Sequence, residues 1–167
     1  MPTSRACGQK TRARRRSRGP GLVGKEALEN SRRFCLDTSA VIYYLQGMQP
    51  YLRVLLPLLD RVRDDEAIMV LSAITEAELL VKPERDGNRE AVEMIEDFLS
   101  EDGIYVVEMS RSIARRAARL RPVNRISIAD AVIMATAIET GCDLLLGNDT
   151  AWTKVGGLPF VRLEDLR

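Results

Sequence analysis

The sequence predicts an α/β protein, a three-layer α/β/α sandwich around a central parallel sheet, and three observations carry that expectation. Short apolar runs alternate with helical patterns from residue 32 onward. Each run is continuous, with no solvent-facing alternation, as in strands covered on both faces. The segments between them space apolar residues three and four apart, as helices do when they lay one face on a sheet.

Residues 32–37 (RRFCLD) read as a buried strand with a charged lead-in, and 39–47 (SAVIYYLQG) as a short helix closed by Gly47. In 50–65, Leu52, Leu55, Leu56, Leu59 and Val62 fall at helical spacing, and Pro57 is expected to kink or restart that helix. Residues 67–73 (AIMVLSA) form the second strand, followed by a short helix across 75–81 that stops by Pro83. The segment 87–102 is an amphipathic helix with Ala91, Ile95, Phe98 and Leu99 on one face. A third strand follows at 104–109, then helices at 110–120 and 127–141, the latter ending at Gly141. Residues 143–149 and 160–163 close the chain as strands. No internal repeat is present.

With 46% hydrophobic and 29% charged residues, the 167-residue chain has the composition of a soluble globular protein with one domain and an appendage. No apolar run reaches membrane-spanning length and no secretory signal opens the chain, so the expected location is cytoplasmic. Residues 1–33 hold ten Lys/Arg and two acids, net +8, while 34–167 hold fifteen and twenty-two, net −7. The first 24 residues contain no acid and almost nothing that could enter a core. The expected division is a basic, disordered N-terminal extension over 1–33, able to bind phosphate non-specifically, and a folded domain over 34–167.

Cys7, Cys35 and Cys142 lie too far apart for a CxxC metal pair and too few for a disulfide framework. The chain has no histidine, which removes the commonest general base near neutral pH. Hydrolytic chemistry here must rest on carboxylates. Asp37 ends the first strand, Glu78 lies in the first turns of the helix after the second, Asp130 opens the 127–141 helix, and Asp149 follows the strand DLLLG. In a parallel sheet the ends of strands and the starts of following helices share an edge, so the four acids are expected near one crevice.

Each acid also has a structural explanation. Thr75-x-x-Glu78 and Ser127-x-x-Asp130 are capping-box patterns, Asp37 stands where it could cap the helix beginning near Ser39, and Asn148-Asp149 is turn chemistry. Four like charges at one edge nevertheless repel unless a cation sits between them. Hard oxygen donors suit Mg2+, with Mn2+ an alternative, and such a metal activates water and offsets phosphodiester charge. A dehalogenase-type phosphatase would need Asp at position 39, where the chain has Ser39, and a glycosidase pair is disfavoured by a single Trp and few aromatics.

LDTSAVIYYLQG, LSAITEAELL, ISIADAVIMATAIETGCDLLLGNDTAW and LPFVRLEDL follow one another in an order that resembles PIN-domain proteins of the VapC toxin type. The resemblance runs from about residue 34 to the C-terminus. It implies an α/β/α sandwich and a Mg2+-dependent endoribonuclease that hydrolyses RNA with a metal-activated water, is paired with a VapB-type antitoxin and forms a homodimer. Carried onto this chain, it makes Asp37 and Asp130 the direct metal ligands, with Glu78 and Asp149 completing the pocket or holding a second metal. Glu76 falls at the wrong position of its block. Many relatives have Thr where this chain has Gly147, a departure expected to touch no proposed ligand, and Ser39 is expected to face the pocket beside the metal.

An acidic pocket repels RNA, so a positive surface is needed nearby. Residues 110–125 carry six arginines and no acid, with Arg111, Arg115 and Arg119 on one helical face, and Arg115 and Arg119, together with Ser39, are the candidate substrate contacts. Large apolar residues at 43–59, among them Tyr43, Tyr44, Leu52 and Leu55, exceed what one helix face needs and offer a groove for a partner helix. The alternatives are an RNA-processing nuclease without an antitoxin and a PIN fold used as a binding module without turnover.

Overall fold

The computed structural model describes residues 20–124, 126–154 and 158–166. Five strands, β1 (Arg33–Leu36), β2 (Ile68–Ser72), β3 (Ile104–Val107), β4 (Leu144–Gly147) and β5 (Phe160–Arg162), form one sheet in the order β3-β2-β1-β4-β5. Every pairing is parallel, and Cys35 at the centre faces Val70 on one side and Leu145 on the other. Among the described residues seven α-helices cover the sheet: α1 (Pro20–Asn30), α2 (Thr38–Leu45), α3 (Leu52–Arg63), α4 (Ala73–Asp86), α5 (Arg89–Leu99), α6 (Arg111–Asn124) and α7 (Ile128–Glu139).

The alternation of side chains along a strand makes two cores. Phe34, Leu36, Met69, Leu71, Leu144 and Leu146 point to one face, where Leu55 and Leu59 of α3 and Ile95 and Phe98 of α5 meet them. Cys35, Val70 and Leu145 point to the other, under Ile113 and Ala117 of α6 and the run Ala131 to Ala135 of α7. The central strands β1, β2 and β4 are buried almost throughout, which is why their sequences carry no polar alternation. This is the expected α/β/α sandwich. Among the described residues no helix is long and apolar enough to cross a membrane.

Three expectations are corrected. The folded part reaches back beyond residue 34: α1 places Leu28 in the first core, and Arg61 donates to the carbonyls of Leu28 at 2.8 Å and Ser31 at 2.6 Å. The expected disorder over 1–33 therefore does not hold for 20–33, while residues 1–19 lie outside the described residues. Helix α3 runs through Pro57 without a restart. Helix α4 continues past Pro83 to Asp86, because a proline near the end removes only one internal bond. Gly87, with φ 64°, is what stops it, its N–H donating to the Glu84 carbonyl.

Candidate active site

The chain starts at the centre of the sheet and builds outward first to β2 and β3, then on the other side to β4 and β5. The reversal falls between β1 and β4, and in such sheets ligands gather outside the carboxyl ends of the strands at that point. Asp37 is the first residue past β1. Its N–H donates to the Leu146 carbonyl at 2.8 Å, extending the β1–β4 ladder into the crevice. Its own carbonyl accepts from Ala40 and Val41 as α2 begins.

The Asp37 side chain does not make the capping bond that its position at the start of α2 permits. Its Oδ2 instead accepts from Ser39 Oγ at 2.7 Å, which puts the Ser39 hydroxyl beside this acid. Asp37 is 9% exposed. Burial pushes its carboxyl up to about 6, the negative charge of Asp130 adds to the rise, and the Ser39 hydroxyl with the nearby N–H groups of Thr38 and Ser39 pulls the other way.

Asp130 is the third residue of α7, and the capping box read from the sequence is formed: its N–H donates to Ser127 Oγ at 3.0 Å and its Oδ2 accepts from the Ser127 N–H at 3.1 Å. Capping and proximity to Asp37 thus coexist in one side chain. The other expected box is absent. Ser72 at the tip of β2 caps α4, its Oγ accepting from the Ile74 N–H at 3.3 Å, and Thr75 lies inside the helix, fully buried with an unpartnered hydroxyl. Released from capping, Glu78 is exposed and its Oε2 accepts from Thr38 Oγ1 at 2.5 Å.

Asp149 lies past the end of β4 and holds a turn, its Oδ1 accepting from the Ala151 N–H at 2.8 Å, while Asn148 Oδ1 accepts from the Glu164 N–H at 2.9 Å. Sequence reasoning missed two residues of this crevice. Thr38, given no role at the site from the sequence, reaches Glu78. Gly147, expected to touch no proposed ligand, lies directly against Asp37. A small residue at a strand end beside an acid is the only signal that a sequence offers for such an approach.

The arginines of α6 take a direction from the packing. Arg116 pairs with Glu139 at the end of α7, while the end of α6 is joined to the start of α7 by three residues. The two helices therefore run antiparallel, and Arg115 stands at the level of α7's far end, about 13 Å along the helix from Asp130 at the usual rise per residue. Arg119 is one turn nearer. Both are exposed.

Among the described residues no three His, Cys, Asp or Glu side chains stand together as a closed set of metal donors. Asp37 nevertheless lies within reach of the charge of Asp130, which adds to the rise that burial gives its carboxyl. A hard divalent cation fits two such acids, since Mg2+ characteristically takes one or two carboxylates and keeps waters elsewhere.

A PIN domain family model matches residues 34–158. Three solved structures share the fold: VapBC2 from Rickettsia felis bound to a DNA fragment from its promoter (18% identity, TM-score 0.63, 78% of this chain and 98% of the other); DNA-bound VapBC from Salmonella typhimurium (19%, 0.64, 78% and 98%); and VapBC-1 from nontypeable Haemophilus influenzae (17%, 0.61, 79% and 98%). No curated protein is similar enough in sequence to match the chain.

Proposed function

The chain belongs to the PIN domain family, and on that premise we propose that it is a Mg2+-dependent endoribonuclease and the toxin of a toxin–antitoxin pair. The observation that carries the reading is the Asp37 carboxylate, raised by its burial and further by the negative charge of Asp130, at the point where the strand order reverses. Two such carboxylates are unfavourable together until a cation shares them. When bound, Mg2+ or Mn2+ would acidify a water and offset the charge that develops on a phosphodiester.

In this reading Asp37 and Asp130 hold the ion. Ser39 fixes the Asp37 carboxylate through its hydrogen bond, and Ser127 orients Asp130 through the capping box. Glu78, tied to the first turn of α2 by Thr38, and Asp149, at the end of β4, complete the acidic face or serve a second ion. Arg119 and Arg115 line the exposed side of α6 and would take successive phosphates of RNA leading away from the crevice.

For the partner, a groove of 710 Å3 lies between α2, α3 and α5. Leu45, Leu52, Leu56, Met94 and Phe98 supply apolar lining, and Glu90, Glu93, Asp97 and Glu101 add negative charge. This chemistry suits an amphipathic segment with basic residues, such as a VapB-type antitoxin would present. Likeness to chains from VapBC assemblies supports that choice, and a cytoplasmic homodimer belongs to the same proposal.

Cleavage of total RNA with end mapping tests the function. Mg2+ should be required, and Asp37→Asn and Asp130→Asn should each abolish cleavage and growth arrest while far-UV circular dichroism stays unchanged. Full activity in EDTA would sink the reading. Cleavage without growth arrest on expression would favour an RNA-processing nuclease.

A further inference from the structure

Gly147 closes β4 against Asp37. A Cβ built on Gly147 would stand 2.8 Å from Asp37 Cβ, 2.9 Å from Oδ2 and 3.2 Å from Cγ, and the first two are closer than side-chain carbons come without something shifting. The backbone itself does not call for glycine here, since Gly147 is not among the residues with positive φ. The need arises from the approach to Asp37 alone. Asp37 cannot simply back away. Its N–H is bonded to Leu146 and its carbonyl receives Ala40 and Val41, so its main chain is held between β4 and α2.

The same oxygen is gripped twice: Oδ2, which leans over Gly147, is the one that accepts from Ser39 Oγ at 2.7 Å. We propose that Gly147 is a positioning residue for Asp37: its missing side chain leaves the niche in which the carboxylate lies, and Ser39 latches it there. Any residue with a Cβ at 147 displaces Oδ2 from Ser39 or parts the ends of β1 and β4. This inference rests on the reading of Asp37 as a metal-holding carboxylate and adds how the fold sets that carboxylate's direction.

Two substitutions test it from two sides, Gly147→Ala by filling the niche and Ser39→Ala by removing the latch. Crystal structures would show whether Asp37 Oδ2 has moved, and electron paramagnetic resonance of Mn2+ titrated into the metal-free protein would give ion affinity independently of cleavage. In Gly147→Ala, Asp37 Oδ2 should lie beyond hydrogen-bond distance of Ser39 and Mn2+ should bind about tenfold more weakly. Ser39→Ala should weaken Mn2+ by a smaller factor. The double variant should bind no worse than Gly147→Ala, a non-additivity that a purely packing role would not produce.

An Asp37 carboxylate still bonded to Ser39 in Gly147→Ala, or an unchanged Mn2+ affinity, would overturn the inference and leave the metal reading standing. Wild-type protein that takes up no Mn2+ would remove that reading and the inference with it. Should Gly147→Ala not fold, Ser39→Ala decides, and unaltered Mn2+ affinity there overturns the latch.

Discussion

Thr38 Oγ1 donates to Glu78 Oε2 at 2.5 Å, joining the first turn of α2 to the second turn of α4 across 40 positions of sequence. The bond gives Glu78, an exposed side chain, a fixed place beside the start of α2. Removing it with Thr38→Val should lower stability by about 1 kcal/mol, the usual net worth of one hydrogen bond. In calorimetry that is a fall in Tm of about 2 to 4 °C for a chain of this size. An unchanged Tm would mean that the bond is not held in solution.

The pH dependence of stability follows from Asp37. Its folded carboxyl sits at about 6 against an ordinary 3.8, so as pH rises the unfolded chain loses this proton first. The folded state then binds more protons than the unfolded one, and stability falls between about pH 4 and pH 6, with the cost complete above that. The size is on the order of 1 to 3 kcal/mol. Asp37→Asn removes the cost. In EDTA it should be more stable than wild type at pH 8 and indistinguishable from it near pH 4, as measured by urea unfolding. Wild type and variant running parallel across that range would refute the buried, raised carboxyl.

Asp130 combines two roles that different substitutions separate. Asn at 130 keeps an oxygen for the Ser127 N–H, so Asp130→Asn should hold Tm while losing divalent-ion binding in calorimetric titration. Ala keeps neither, and Asp130→Ala should cost a further ~1 kcal/mol through the lost half of the capping box. Equal stability of the two variants would show that the box contributes nothing.

The groove between α3 and α5 offers a variant that touches only partner binding. Met94 is 49% exposed at that groove, and a lysine there adds positive charge beside Glu90, Glu93 and Asp97 without opening the core. Met94→Lys should leave Tm within the equivalent of ~0.5 kcal/mol and RNA cleavage unaltered. Binding of a co-expressed antitoxin should fall by at least about tenfold, read by surface plasmon resonance. Undiminished binding would place the partner elsewhere on the surface.

Much of the fold was legible because burial on both faces leaves a mark on the sequence. FCL, IMVL and LLLG are unbroken apolar runs for that reason, and the order of strands and helices follows from them. Helix ends were less legible where two signals competed. Pro83 read as a stop, yet Gly87 four residues on gave the backbone its left-handed turn. The N-terminal boundary was misplaced because α1 follows directly on a basic stretch, and only docking against C-terminal residues such as Leu166, with Leu28 in the core, marks it as part of the domain.

For the site, the sequence by itself determined the candidates for the proposed chemistry: four acids, no histidine, and strand ends to carry them. Local residue types suffice for that, since hard oxygen donors imply a hard cation whatever their arrangement. Tertiary structure decided which of these acids come near one another. Asp37 and Asp130 lie 93 positions apart, and the charge of Asp130 reaches Asp37 only because the fold brings the residue after β1 and the first turn of α7 near each other. It also decided that Thr38 serves Glu78, that Ser72 and not Thr75 caps α4, and that Gly147 makes room for Asp37. Such pairings depend on ångström-scale approaches between segments distant in the chain, and no local propensity encodes them.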